Sequence, residues 1–125
     1  MRELGQLFKA LSDETRLTIM GLVFEHGQLC VCEVEQLLGI TQSKASRHLR
    51  YLRDAGALED ERDGLIVNYR LPRASDPERS AVLMLLRGML AGRAMPEAKS
   101  RLVEIRAARG PGRLNGASEL TGARV

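Results

Sequence analysis

Cys30 and Cys32 are the only cysteines in the 125-residue chain, and one residue, Val31, separates them. Two thiolates are soft donors and favour soft, thiophilic ions over hard ones. A structural zinc site normally takes four Cys or His ligands. Beyond this pair the chain offers only His26 and His48, far apart in sequence, so zinc held within one subunit is not expected. Thioredoxin-type redox chemistry uses C-x-x-C beside a βαβ pattern, and neither is present. The plain alternative is two small buried side chains, since free cysteine packs well in a core. Spacing adds a constraint. On a regular helix, positions i and i+2 point about 200° apart. One ion held by both sulfurs should therefore distort the start of the helix read at 32–38.

A second set of chemistry-bearing residues runs from Thr41 to Ala55. At about 100° per residue, Ala45, Leu49 and Leu52 form one narrow apolar stripe. Ser43, Arg47 and Arg50 fall opposite it, with Lys44 and Tyr51 at the edge, and no Asp or Glu intervenes before Asp54. A helix with one docking stripe and a free basic, hydroxyl-rich face suits phosphates and base edges. Ser43, Lys44, Arg47 and Arg50 are the expected DNA contacts, Arg47 foremost, with Gln42 and Ser46 in second rank. His48 borders the stripe and reads as a packing and hydrogen-bonding residue.

The flanking elements position this helix. Glu33 to Leu38 reads as a short amphipathic helix closed by Gly39, and Thr41 can cap the next one. Two helices joined by so tight a turn make a helix-turn-helix, whose second helix enters the major groove. After Gly56, Asp63-Gly64 is a hairpin turn signal. Leu65, Val67, Tyr69 and Leu71 then alternate with Ile66, Asn68 and Arg70, the pattern of a strand with one buried face. A helix-turn-helix followed by a hairpin over about residues 57–71 is a winged helix. Arg62 near the tip can reach phosphate or the minor groove, among the acidic neighbours Asp60, Glu61 and Asp63.

Upstream, Leu4, Leu7, Phe8 and Leu11 have helical spacing, and Ser12-Asp13 can cap a second helix from Glu14 to His26. Its apolar face (Leu17, Ile19, Met20, Gly21, Val23, Phe24) is wide, which marks it as central. Arg16, Asp13 and Glu14 read as caps and ion pairs, and His26 suits the dipole of the last turn. Residues 72–77 form a linker. Ala81, Val82, Leu85, Leu86, Met89 and Leu90 share one side of a helix over 78–93, and Leu102, Val103 and Ile105 mark another after Pro96. An amphipathic helix beyond a finished winged helix needs a partner. A twofold dimer through 78–93, with 3–11, would present two recognition helices to a palindrome. The expected architecture is mainly α with a β-hairpin, its N- and C-terminal helices forming the dimer interface. Residues 1–95 are the winged-helix DNA-binding and dimerisation domain, 96–109 a C-terminal helix and 110–125 a disordered tail rich in Gly and small polar residues.

Composition bounds the function. Four aromatics in all (Phe8, Phe24, Tyr51, Tyr69) mean an aliphatic core, and a net charge of only +3 makes the local clustering of Arg and Lys the stronger sign of nucleic acid. No apolar run approaches the roughly 18 residues that a membrane span needs. The N-terminus lacks the apolar core of a signal peptide, so a cytoplasmic protein with reduced thiols is expected. An enzyme is not: there is no nucleophile–base pair with a supporting third group, no phosphate-binding glycine loop and no catalytic metal cluster.

Leu7-Phe8-Lys9-Ala10-Leu11-Ser12-Asp13-Glu14-Thr15-Arg16-Leu17, the stretch Leu29 to Glu33, Gln42 to Leu49 and Tyr69-Arg70-Leu71 resemble the arsenic-responsive repressors of the ArsR/SmtB family. The resemblance covers about residues 4–72. It implies a homodimeric winged-helix repressor seated on double-stranded operator DNA. Trivalent arsenic or antimony would bind the thiolates of Cys30 and Cys32, the matching metal ligands, and release it. One position departs: similar arsenic sensors often carry a third cysteine where this chain has Glu35, a hard oxygen donor. The shortfall leaves three options. Water, hydroxide or a small thiol completes a two-thiolate site; the partner subunit supplies a thiol; or methylarsenite, which needs only two sulfurs, is preferred to arsenite or antimonite. The family's zinc-type site on the dimer helix needs Asp and His, which 78–93 lacks. The alternative function is a DNA-binding regulator responsive to thiol redox state or another soft metal, although a disulfide within C-x-C is cramped.

Overall fold

The computed structural model describes residues 1–93 and 95–109. Along them run α1 (Arg2–Ala10), α2 (Glu14–His26), β1 (Gln28–Cys30), α3 (Val31–Leu38), α4 (Gln42–Asp54), β2 (Glu59–Asp63), β3 (Ile66–Arg70), α5 (Pro77–Leu90) and α6 (Ala98–Arg109). This is a winged helix-turn-helix. The tail expected over 110–125 lies outside the described residues.

The Asp13 carboxylate accepts the Arg16 N–H at 3.0 Å and starts α2, a cap of the kind worth about 1 kcal/mol. Ile19, Met20, Leu22 and Val23 of α2 are buried, and Leu17 and Phe24 pack partly against the same core. With so wide an apolar surface the helix sits at the centre of the domain. The helix α1 adds Leu7 and Ala10 to the core and leaves Phe8 exposed.

The helix-turn-helix is α3 and α4. Gly39 ends α3 at φ 67, a left-handed conformation that glycine adopts without strain. Thr41 Oγ1 accepts the Lys44 N–H at 3.2 Å and opens α4. Ala45, Leu49 and Leu52 are completely buried, so the stripe read from spacing is the docking face.

The three strands pair antiparallel in the order β1-β3-β2. Val67, Tyr69 and Leu71 face the core. Two details differ from the sequence reading. Strand β1 was not anticipated, because three residues carry too little alternation; its register sets Leu29 opposite Tyr69 and Cys30 opposite Asn68. Asp63 pairs with Ile66 as the last rung of the hairpin, so the loop is Gly64-Leu65 rather than Asp63-Gly64. Leu65 is consequently solvent-exposed.

Helix α5 is capped by Asp76, whose carboxylate accepts the Arg79 N–H at 2.8 Å. It buries Leu83 and Leu86, with Val82 and Leu90 partly buried, whereas Ala81, Met84, Leu85 and Met89 stay exposed. Spacing grouped Leu85 and Met89 with Val82, Leu86 and Leu90 on one side read as partner-facing; the core takes Leu83 and Leu86 and leaves Leu85 and Met89 exposed. Helix α6 folds back on its own chain. Ala98, Leu102 and Ile105 join the common core, and Arg101 donates to the Gln36 and Leu37 carbonyls at 2.8 and 3.4 Å. Those are the open carbonyls of the last turn of α3, which a cation suits. The core that seemed finished before residue 96 is completed by α6. Among the described residues, no helix is long and apolar enough to cross a membrane.

Candidate thiol site and nucleic-acid interface

Cys30 ends β1 and is the N-cap of α3, with extended backbone at φ −98 and ψ 169. Cys32 lies in the first turn of the helix. Cys30 is buried and Cys32 half-buried. The first sulfur therefore stands outside the helical frame, and the opposed directions of a regular helix do not apply. The two thiols are close enough to perturb each other's ionisation.

Glu33 occupies the third helical position and returns its carboxylate to the Cys30 N–H at 3.0 Å. This is a capping box in which sulfur replaces the usual hydroxyl. Glu33 is only 2% exposed, and two cations from α6 offset its buried charge. Arg106 Nε and Arg109 Nη2 reach its Oε2 at 2.7 and 2.9 Å. Arg106 also donates to the Gln28 carbonyl at 3.1 Å. Arg109 Nη1 donates to Cys30 Sγ at 3.0 Å, and Gln36 Nε2 to Cys32 Sγ at 3.0 Å.

This environment divides the two thiols. The hydrogen bond from Cys30 pulls the Cys32 pKa down to about 6, and Gln36 and Arg109 act in the same direction against burial. The same hydrogen bond, then burial and the charge of Glu33, push Cys30 up. The surroundings thus favour ionisation at Cys32 over Cys30. That donor set fits a thiophilic centre that needs two sulfurs. Among the described residues, no group of three His, Cys, Asp or Glu side chains could hold a metal ion.

The structure brings most of the predicted DNA-contact residues onto one helix. Gln42, Ser43, Lys44, Arg47 and Arg50 are exposed on α4, and Ser46 is half-buried. Arg62 is exposed on β2, its Nη1 at 3.5 Å from the Gly64 carbonyl oxygen. No ion pair among the described residues takes Lys44, Arg47 or Arg50. Arg53, one turn on, is held by Asp54 and Asp60, each at 2.9 Å. Arg70 and Arg73 offset the wing's Glu59 and Glu61. Behind α4, Arg16 is more than the cap partner read from sequence. Its Nε donates to the Ala10 carbonyl at 2.7 Å, its Nη1 meets His48 Nδ1 at 3.3 Å, and its guanidinium lies 4.2 Å from the Tyr51 ring centroid. Burial lowers the His48 pKa, which suits a neutral ring accepting from Arg16. His48 braces the helix, as its position beside the stripe suggested.

Glu33, Arg106 and Arg109 were missed in the sequence. The partners are more than seventy residues apart in the chain. The one local signal was the C-x-x-E spacing, which has the form of a capping box with Cys in place of Ser or Thr.

The profile of the bacterial regulatory protein, arsR family, matches residues 13–60. The chain is 53% identical over 66 residues to the arsenical resistance operon repressor of Escherichia coli, a match covering 53% of this chain and 56% of that protein. It is 41% identical over 71 residues to the arsenical resistance operon repressor of Bacillus subtilis, covering 57% of this chain and 68% of the relative. The chain thus spans little more than half the length of the Escherichia coli relative. Among solved structures, the AntR antimony-specific transcriptional repressor superposes with TM-score 0.55 at 29% identity, covering 72% of this chain and 78% of that one.

Proposed function

The chain belongs to the arsR family of bacterial regulatory proteins, and on that premise we propose that it is a homodimeric repressor of a metalloid-resistance operon, released from operator DNA when trivalent arsenic binds Cys30 and Cys32. Antimonite, thiophilic and of the same valence, is the second inducer. The observation that carries this reading is the pair of free cysteines at the N-cap and first turn of α3, the scaffold helix behind a recognition helix whose Lys44, Arg47 and Arg50 enter no ion pair among the described residues. Ser43, Lys44, Arg47 and Arg50 contact phosphates and base edges, with Gln42 and Ser46 beside them, and Arg62 extends the contact from the wing. The exposed apolar side chains of α5 and α1, Met84, Leu85, Met89 and Phe8, supply the dimer face, so that two copies of α4 address a palindrome. The chemistry needs reduced thiols, which suits the cytoplasm.

Ligand binding reaches α4 through covalently adjacent backbone. Cys30 fixes the start of α3, and any shift in its first turn moves the scaffold on which α4 sits. The test is fluorescence anisotropy of the protein on its own upstream DNA, titrated with arsenite, methylarsenite and antimonite under reducing conditions. Release by arsenite in the wild type, lost in Cys30→Ser with DNA affinity retained, is the expected result. Tight binding unmoved by all three metalloids overturns the inducer. Release by peroxide alone would favour the redox-responsive regulator.

A further inference from the structure

At the thiol pair, the group best placed to meet a third substituent on a bound arsenic is not a ligand but a hydrogen-bond donor. Three groups border the sulfurs: Arg109 on Cys30 at 3.0 Å, Gln36 on Cys32 at 3.0 Å, and Glu33. The Glu33 carboxylate is already engaged by Arg106, Arg109 and the Cys30 N–H. The Arg109 side chain is only 18% exposed, and its Nη2 bond to Glu33 fixes the guanidinium in place. Its Nη1 is therefore a preset donor aimed at the sulfur that the metalloid must occupy.

Building on the effector reading above, we infer that Arg109 sets the ligand specificity of the thiol site by selecting an oxygen, rather than a carbon, as the third substituent on trivalent arsenic. Arsenous acid reacts with the two thiols to give a dithiolate that keeps one hydroxyl. Two S–As bonds form and two As–O bonds break. Each departing hydroxyl leaves as water, taking its proton from a thiol or, where the sulfur is already ionised, from solvent, and no oxidation state changes. The retained hydroxyl is a hydrogen-bond acceptor, and Arg109 supplies the charged donor. Methylarsenite loses two waters in the same way, but its retained group is a methyl. Against a half-buried guanidinium a methyl accepts nothing, so Nη1 gains no acceptor from the ligand. The missing third cysteine is thus replaced by a contact to the ligand's own oxygen.

The experiment measures binding and release separately in the full chain. Arsenic retained per chain is titrated for arsenite and methylarsenite in wild type, Arg109→Met and Arg109→Lys, with anisotropy on upstream DNA in parallel. Wild type is expected to prefer arsenite. Arg109→Met should weaken arsenite by about tenfold, the scale of one charge-assisted hydrogen bond, and leave methylarsenite unchanged or tighter. Arg109→Lys should restore part of the arsenite preference. A general loosening of α6 would lower both affinities together, so the ratio separates specificity from folding. A wild type that prefers methylarsenite, or a ratio unmoved in Arg109→Met, overturns the inference and leaves the effector reading intact. No arsenic retained by wild type overturns both. Retention with the expected ratios but no release from DNA overturns the repressor switch alone.

Discussion

The face of α4 and the seam between α3 and α6 both rely on arginine, and they use it in opposite ways. Arg47 and Arg50 stand exposed, without an ion-pair partner among the described residues. Arg106 and Arg109, 39% and 18% exposed, share one carboxylate that is 2% exposed. A cation left in solvent keeps its attraction for an external polyanion and gains by releasing that polyanion's counterions. A cation fixed on a buried carboxylate is held in one geometry, so that any N–H left over is aimed rather than free. Net charge cannot distinguish the two uses. Where each charge finds its partner does, and that divides this small domain into a surface that binds and a seam that positions.

The seam should be the costlier region to damage. Glu33→Ala removes the one carboxylate that Arg106, Arg109 and the Cys30 N–H share. It should destabilise the fold by about 3 kcal/mol or more, read as a fall in the urea midpoint at unchanged slope. Glu33→Gln keeps the amide oxygen for the Cys30 N–H and should lose less. A cost below about 1 kcal/mol for Glu33→Ala would put the seam in the class of solvated surface pairs, and the contrast with α4 would fail.

The reverse holds on α4. Arg47→Ala should leave the urea midpoint unchanged and weaken DNA binding by about 1–3 kcal/mol. If its contact is to phosphate, the salt dependence should also fall by about one unit of slope. A variant that binds DNA as the wild type does would remove Arg47 from the interface and shift the reading face toward Lys44 and Arg50.

The difference between the regions also explains what could be read from sequence. Everything that makes α4 a candidate reader lies within thirteen residues of one helix, where periodicity sorts inward from outward positions. The stripe of Ala45, Leu49 and Leu52 and the basic face followed directly. The seam is made by contacts across 73 and 76 positions of chain, and strand β1 by the pairing of Gln28 with Arg70. No local pattern encodes such pairings. The same limit misplaced the cysteines: counted along a helix they oppose each other, but β1 ends at Cys30 and holds it out of the helical frame. Helix α5 shows a second limit of spacing. Apolar residues occupy both of its sides, so spacing could not choose Leu83 over Leu85.

Leu65 gives the smallest expected effect and tests that logic at the wing. Alternation assigned it to the buried face with Val67, Tyr69 and Leu71, and those three do face the core. Leu65 has the same parity but is 97% exposed. It lies in the loop next to Gly64, whose φ of 66 turns the hairpin, and at the tip there is no core beneath it. Parity decides which face of the sheet a side chain takes; only the extent of the core decides whether anything covers that face. Leu65→Ser should therefore change stability by no more than about 0.5 kcal/mol, measured by thermal unfolding. A larger loss would mean that the tip packs against something in solution, and the natural candidate is the partner subunit. A change confined to DNA affinity would instead place the wing tip at the nucleic acid, with Arg62 beside it as the charged contact.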